Sequence, residues 1–198
     1  MRANVYCCID VEASGPVPGL NDLVSVGGVA VLPDEHGLHA VLAADAFYAE
    51  LRPQGGRVDP AAMAVHGLTT EHLAAHGRPP SEVVDALTAW AQARRRGRED
   101  RLVFVGHNAV FDWAYVNHAY HATGRRNPFG WKALDTKSLA MGVLGLDWFE
   151  TSKERLAELL PGLGAQDAAL AHRADYDALY QARILAALLD HPTRVAAR

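Results

Sequence analysis

The sequence predicts an α/β protein, a mixed β-sheet flanked by α-helices. Three observations carry that expectation. Apolar or β-favouring runs dominate the first quarter of the chain and are joined by short links, which favours an antiparallel meander. Helical periodicity takes over in the middle. A further apolar run at 102–105 then falls between helical segments, so the order is not a regular βαβ repeat.

Taken in order, residues 4–11 (NVYCCIDV) are almost all apolar or β-favouring and read as a buried strand. The Ser-Gly-Pro-Val-Pro-Gly stretch at 14–19 breaks regular structure. Residues 23–32 (LVSVGGVAVL) are a second strand, and Gly27-Gly28 within it marks a bulge or a close backbone approach. After a turn at 33–37, a third strand at 46–51 ends at Pro53, Gly55 and Gly56. Short helices are expected at 60–65 and 70–75. Ser81 is a good N-cap for a longer helix with Val84, Leu87, Ala91 and Trp90 on its apolar face. The strand at 102–105 is followed by a helix at 111–121, a loop at 123–130 and a short strand at 132–134. Helices are expected at 137–144, 152–160 and 173–189, the last with the stripe Tyr176, Leu179, Tyr180, Ile184, Ala187 and Leu188, joined by the stem of Arg183.

The 198 residues suffice for one full core, and no repeat, low-complexity segment or linker divides them, so a single domain over 1–198 is expected. With 49% apolar and 21% charged residues, the composition is that of a soluble globular protein. No apolar run approaches the roughly 18 residues of a membrane span, and the start lacks the pattern of a secretory signal. A cytoplasmic location with no membrane partner is therefore expected. Cys7 and Cys8 are neighbours that point to opposite faces of a strand, so both read as small buried hydrophobes, without a disulfide or a zinc site. A net charge of −4 argues against a broad phosphate-binding surface of lysines and arginines. It leaves room for a nucleic-acid substrate, because bound divalent cations reverse the local sign of a carboxylate-rich cleft.

Three segments carry chemistry. In Asp10-Val11-Glu12, residues i and i+2 share a strand face, so the two carboxylates point the same way and need a cation, a shared proton or water between them. In the second, the strand stops at Gly106. His107 and Asn108 fall at its carboxyl end, where open α/β sheets place their sites, and Asp112 starts the next helix. In the third, His172 lies just before the last long helix and Asp177 on its first turns. Asp175 and Asp177 are about 200° apart round a helix, and Asp177, beside the apolar stripe, suits a cleft edge better.

The set is Asp10, Glu12, Asp112, Asp177 and His172. Four carboxylates from three remote segments are costly to gather without metal, and their oxygens suit magnesium or manganese. Two such ions roughly 4 Å apart stabilise both the attacking and the leaving oxygen of a phosphodiester hydrolysis. A histidine, with its ordinary pKa near neutrality, can take a proton from the attacking water.

Asp10-x-Glu12, the His107-Asn108-Ala109-x-Phe111-Asp112 block and His172-x4-Asp177 resemble the three exonuclease motifs of the DnaQ-like DEDDh exonucleases. Val65-His66-Gly67-Leu68-Thr69 resembles that family's hydrophobic-His-Gly-Ile-Thr segment, and Leu134-Asp135-Thr136 with Leu139-Ala140 its Asp-Thr-x-x-Leu-Ala segment. The resemblance covers nearly the whole chain. Arg173 stands where the sister group has tyrosine, which indicates the histidine form. The resemblance implies a ribonuclease H-like fold with a five-stranded mixed sheet, and 3′–5′ hydrolysis of single-stranded DNA or RNA to nucleoside 5′-monophosphates with two divalent cations, Mg2+ or Mn2+. It implies Asp10, Glu12 and Asp177 on the first cation and Asp10 bridging to the second. Asp112 would act at the second directly or through water, and His172 would be the general base on a mobile loop. Substrate contacts are implied at Ser14 and Gly15 after the acidic pair, at His66 along the groove, and at Asn108. The family's usual Thr-Gly-Leu is here Ser14-Gly15-Pro16-Val17-Pro18, a longer and Pro-stiffened loop. Some such proteins are homodimers, so a second copy of the chain joins DNA or RNA 3′ ends among the implied partners.

Other readings remain beside this one. The chain could be a proofreading exonuclease subunit in a polymerase complex, a non-catalytic nucleic-acid-binding module on the same fold, or a phosphatase acting on small nucleotides. Asp135 reads as a helix N-cap, Phe111 as core, Trp113 as core or partner-facing, and the arginine run 94–98 as a solvated helix end. His66 and Asn108 each have a structural reading as well. No feature reads a 2′-hydroxyl, so DNA and RNA are not distinguished.

Overall fold

The computed structural model describes residues 3–195. Met1 and Arg2, from which the reading of the amino terminus began, lie outside the described residues.

The long strands β1 (Asn4–Ala13) and β2 (Leu23–Pro33) pair antiparallel, as their apolar runs and the breaker-rich link between them dictate. The parallel strands β5 (Arg101–Gly106) and β6 (Ala133–Asp135) extend the sheet on the other side of β1. The outer edge of β2 carries two short strands in succession. β3 (His39–Val41) pairs with Val31 to Pro33, and β4 (Phe47–Glu50) pairs with Ser25 to Gly28. A 3-10 turn at Ala43–Asp45 separates them. The mixed sheet therefore has six strands where five were expected, ordered β3-β2-β1-β5-β6 with β4 also on β2. The added strand is a fragment of an edge, too short to leave an apolar signature.

Helices α1 (Pro60–His66), α2 (Thr70–His76) and α3 (Pro80–Ala93) follow β4, and α4 (Ala109–Ala122) follows β5. After β6 come α5 (Thr136–Leu144), α6 (Lys153–Leu159), α7 (Ala174–Leu189) and the short α8 (Pro192–Val195). One face of the sheet packs Cys7, Ile9, Val26 and Phe104 against Val84 and Leu87 of α3 and Tyr115 and Tyr120 of α4. The other packs Cys8, Val29, Val31 and Val105 against Ala178, Ala182, Leu185 and Leu189 of α7. Cys7 and Cys8 thus face opposite layers as unpaired buried thiols. Among the described residues no helix is long and apolar enough to cross a membrane.

Of three local expectations, one is corrected, one is resolved between its alternatives and one is extended. The N-cap of α3 is Pro79, with Pro80 opening the helix and Ser81 inside its first turn; proline at the first position has φ preset and needs no N–H partner. The glycine pair in β2 marks a close approach, and the register shift lies instead at Glu12/Ala13 of β1. Helix α7 is buried on two sides. The expected stripe of Tyr180, Ile184 and Leu188 meets α5 and α6, while a second, alanine-rich stripe faces the sheet.

Candidate active site

Parallel pairing of β1 with β5 brings the carboxyl ends of both strands to one edge of the sheet. Asp10 and Glu12 emerge there from β1. Gly106 ends β5 and allows an abrupt turn into α4, since a Cβ on it would lie 2.8 Å from Ala109 Cα and 3.0 Å from Asp112 Oδ2. That turn carries Asp112 back over β1, where its Oδ1 accepts the Val11 N–H at 3.0 Å. Gly27 pairs with Asp10 across the sheet, and its bare backbone lets the start of α7 descend onto β2. Asp177, on the first turn of α7, is thereby lowered beside Asp10.

The result is an open cavity of about 180 Å³ lined by Asp10, Val11, Glu12, His107, Asn108, Phe111, Asp112, Lys153, His172 and Asp177. All four expected carboxylates and the expected histidine line it. Asp112 and Asp177 are buried. Asp177 Oδ2 accepts the His172 N–H at 2.7 Å, and Asp177 Oδ1 accepts from both Lys153 Nζ and Gln166 Nε2. One turn further along α7, Gln181 Nε2 donates to Asp10 Oδ1 at 2.5 Å.

The electrostatics are those of a site short of positive charge. Burial, then the charges of Asp112 and Asp177, push the Asp10 carboxyl well above its ordinary range. Burial first, then Asp177 and Asp112, raise Glu12 to about 8. Burial raises Asp112 to about 7 against the opposing hydrogen bond from Val11. Burial and mutual repulsion thus favour the protonated forms of these carboxyls, a bias that a bound divalent cation would reverse. The donor set fits such an ion: Glu12, His172 and Asp177 each offer a ligand atom, and these atoms lie within 4.8 Å of one another.

His172 is exposed and adopts a left-handed backbone, φ 63°, a conformation that costs a non-glycine residue roughly 1–2 kcal/mol. Its N–H bond to Asp177 helps to hold it there. Beneath the cavity, burial pushes His107 down to about 4, and its Nδ1 lies 2.8 Å from Thr136 Oγ1. Asp135 caps α5 through the Ser138 N–H at 2.9 Å, as expected, and also receives the N–H groups of Asn108 at 2.8 Å and Ala109 at 3.2 Å. One carboxylate therefore fixes the starts of two helices and the backbone that bears Asn108.

The expected substrate contacts divide. Asn108 lines the cavity, exposed and left-handed at φ 71°. Gly15 lines a neighbouring recess of about 480 Å³ together with Glu12, Pro16, Val65 and Phe111, and its carbonyl accepts Tyr115 Oη–H at 2.5 Å. Phe111, expected in the core, is half-buried and forms a wall shared by cavity and recess. His66 is half-buried near the Ala13 carbonyl and His172; burial lowers its pKa, and it is Val65 that lines the recess. Ser14 is turned away from the cavity. It is buried, its hydroxyl accepts the Asp22 N–H at 2.8 Å and donates to the Arg57 carbonyl at 2.9 Å, and its carbonyl accepts the Asp59 N–H at 2.7 Å. Its side chain clamps the loop. Lys153, Gln166 and Gln181 were not expected at the site. Nothing in their spacing marks them, beyond Gln181 standing four residues after Asp177 on the same helix face.

Fold and donor set together define a metal-dependent phosphodiester hydrolase of the ribonuclease H-like type. The sequence matches the exonuclease family (RNase T) over residues 7–185, and the chain belongs to that family, the DnaQ-like DEDDh 3′–5′ exonucleases. Among curated relatives, the 3′–5′ DNA exonuclease Cap18 of Escherichia coli is 34% identical over 181 residues, covering 91% of this chain and 89% of that protein. A ribonuclease T of Haemophilus influenzae is 31% identical over 193 residues, covering 92% of this chain and 78% of its own. Among solved structures, the nuclease domain of 3′hExo, a DEDDh family member bound to rAMP, superimposes with a TM-score of 0.78 over 97% of this chain and 94% of that domain at 15% identity. The zinc-bound E. coli ExoI–single-stranded DNA complex superimposes with a TM-score of 0.69 over 100% of this chain and 42% of that one, also at 15% identity. At that identity the likeness is one of fold.

Proposed function

We propose that the chain, as one domain over residues 1–198, removes nucleotides one at a time from the 3′ end of single-stranded nucleic acid, releasing nucleoside 5′-monophosphates. The observation that carries this reading is the convergence of Asp10, Glu12, Asp112 and Asp177 on one cavity with His172 exposed at its mouth. Asp10, Glu12 and Asp177 would hold one Mg2+ or Mn2+, and Asp10 with Asp112 a second. When bound, these ions supply charge to offset that on the attacking and leaving oxygens.

His172 takes the proton of the attacking water as the water oxygen bonds to phosphorus and the P–O3′ bond breaks. The departing O3′ gains a proton from solvent, which leaves a strand one residue shorter with a free 3′-hydroxyl. Exposure of His172 suits this role, since its proton must then escape to water. Asp177 accepts the His172 N–H and so holds the base at the cavity mouth. The recess walled by Phe111, Val65 and Pro16 adjoins the carboxylates through Glu12 and offers an apolar seat for the terminal nucleoside.

Single-stranded DNA is the first substrate to test, because the relative at 34% identity is a DNA exonuclease. Matched single-stranded DNA and RNA are digested with Mg2+ or Mn2+ and the products separated by chromatography. Nucleoside 5′-monophosphates are expected. Release of 3′-monophosphates, or of inorganic phosphate from mononucleotides alone, would refute the reading.

A further inference from the structure

Lys153 is the single lysine or arginine among the residues lining the carboxylate cavity. It opens α6, whose N-cap Ser152 accepts the Arg155 N–H at 3.2 Å and whose Leu156 is fully buried. The preceding Thr151 is also fully buried, and its hydroxyl donates to the Trp148 carbonyl at 2.6 Å. The backbone under Lys153 is thus pinned, while its half-buried side chain sends the ammonium to Asp177 Oδ1. As a fixed structural ion pair this makes little sense. Asp177 Oδ1 already receives the Gln166 amide, and a positive charge among metal ligands opposes the cation they would hold.

Charge counting suggests another use. Four carboxylates balance two divalent cations, which leaves the ammonium's single charge facing the single charge of a phosphodiester. Resting on the function proposed above, we propose that Lys153 is a catalytic residue. With Asp177 Oδ1 given over to a cation, its ammonium turns to a non-bridging oxygen of the scissile phosphate and offsets the negative charge that builds there as the water attacks. The flexible four-carbon stem permits the swing, and the pinned helix start sets its pivot.

The test uses the intact chain, 5′-labelled single-stranded DNA and saturating Mn2+, with Mn2+ binding followed separately by calorimetry. K153M should bind Mn2+ at least as tightly as the wild type, because a competing charge has gone, while its kcat falls about 100-fold. K153R, which keeps the charge, should fall less. A K153M protein within about twofold of wild-type kcat would overturn the proposal, as would loss of Mn2+ binding along with activity, which would make Lys153 a structural prop. A wild-type protein that leaves the DNA intact overturns the functional reading and this role with it. An active wild type beside an equally active K153M overturns the role of Lys153 alone.

Discussion

Gly27 and Ala174 meet backbone to backbone: a Cβ on Gly27 would lie 2.0 Å from the Ala174 carbonyl oxygen. Because Gly27 also pairs with Asp10, this contact sets the height at which α7 delivers Asp177 to the carboxylates of β1. Gly27→Ala should therefore push α7 outward. Overpacking of this kind costs about 1–3 kcal/mol, and activity should fall along with stability. At Gly142 in α5 an added methyl group would meet nothing within 4 Å, so Gly142→Ala should stabilise by about 0.5–1 kcal/mol at unchanged activity. Urea unfolding of the two variants measures the contrast, and equal effects would refute it.

Asp175 and Asp177 are a second pair to separate. Asp177 is buried in the cavity, while Asp175 pairs with Arg173 at 2.9 Å outside it. Asp177→Ala and Asp10→Ala should each lower kcat/KM by on the order of 10³-fold or more, since each removes several kcal/mol of charge stabilisation. Asp175→Ala should stay within about threefold of wild type. Steady-state kinetics on a single-stranded oligonucleotide decide it, and a loss at Asp175 as deep as at Asp177 would show that the wrong carboxylate has been assigned.

For His172, base and ligand make different demands. Its imidazole is close enough to Glu12 and Asp177 to join a cation's shell. As the general base, His172→Ala should lower kcat by roughly 10²–10⁴-fold with Mn2+ affinity preserved. Calorimetry on the variant separates the two, and a protein that no longer binds Mn2+ would make His172 a ligand.

Stability should depend on pH in a direction that metal removes. Glu12 is raised from 4.5 to about 8 and Asp112 from 3.8 to about 7. Between the ordinary and the raised values the folded chain holds protons that the unfolded chain has released, so stability falls as pH rises. The contribution is complete below about pH 4 and lost through about pH 8. In EDTA, the Tm should fall from about pH 5.5 to 8, and the increase in Tm on adding Mn2+ should be larger at the higher pH. A metal-free Tm that climbs over this range would contradict the account.

What the sequence disclosed follows from how each feature is encoded. β1, β2 and β5 are mostly apolar runs, β2 closed by Pro33 and β5 by Gly106, and such runs have few alternatives to a buried strand. The motif carboxylates were legible because strand alternation and helix phase fix where their side chains go. β3 was not, since His39, Ala40 and Val41 form a three-residue edge fragment supported by pairing to β2 and by the contact of His39 with Asp190, far away in the chain. The sheet-facing side of α7 was hidden because Ala178 and Ala182 are small, and only the closeness of the sheet reveals that they are core. The loop clamp at Ser14 was not legible, since its partners Asp22 and Arg57 depend on a loop path that no local pattern announces. Lys153 reaches Asp177 from 24 residues away, a relationship set by packing of α6 on α7.

Divalent cations held by these carboxylates would make His172 and its neighbours a 3′-end hydrolase, as proposed above. The most direct measurement follows 5′-labelled single-stranded DNA with the purified chain, in Mn2+ and in EDTA. The account predicts a ladder of products shortened stepwise from the 3′ end in Mn2+ and intact strand in EDTA. Cleavage that persists undiminished in EDTA, or internal cuts without stepwise shortening, would contradict it.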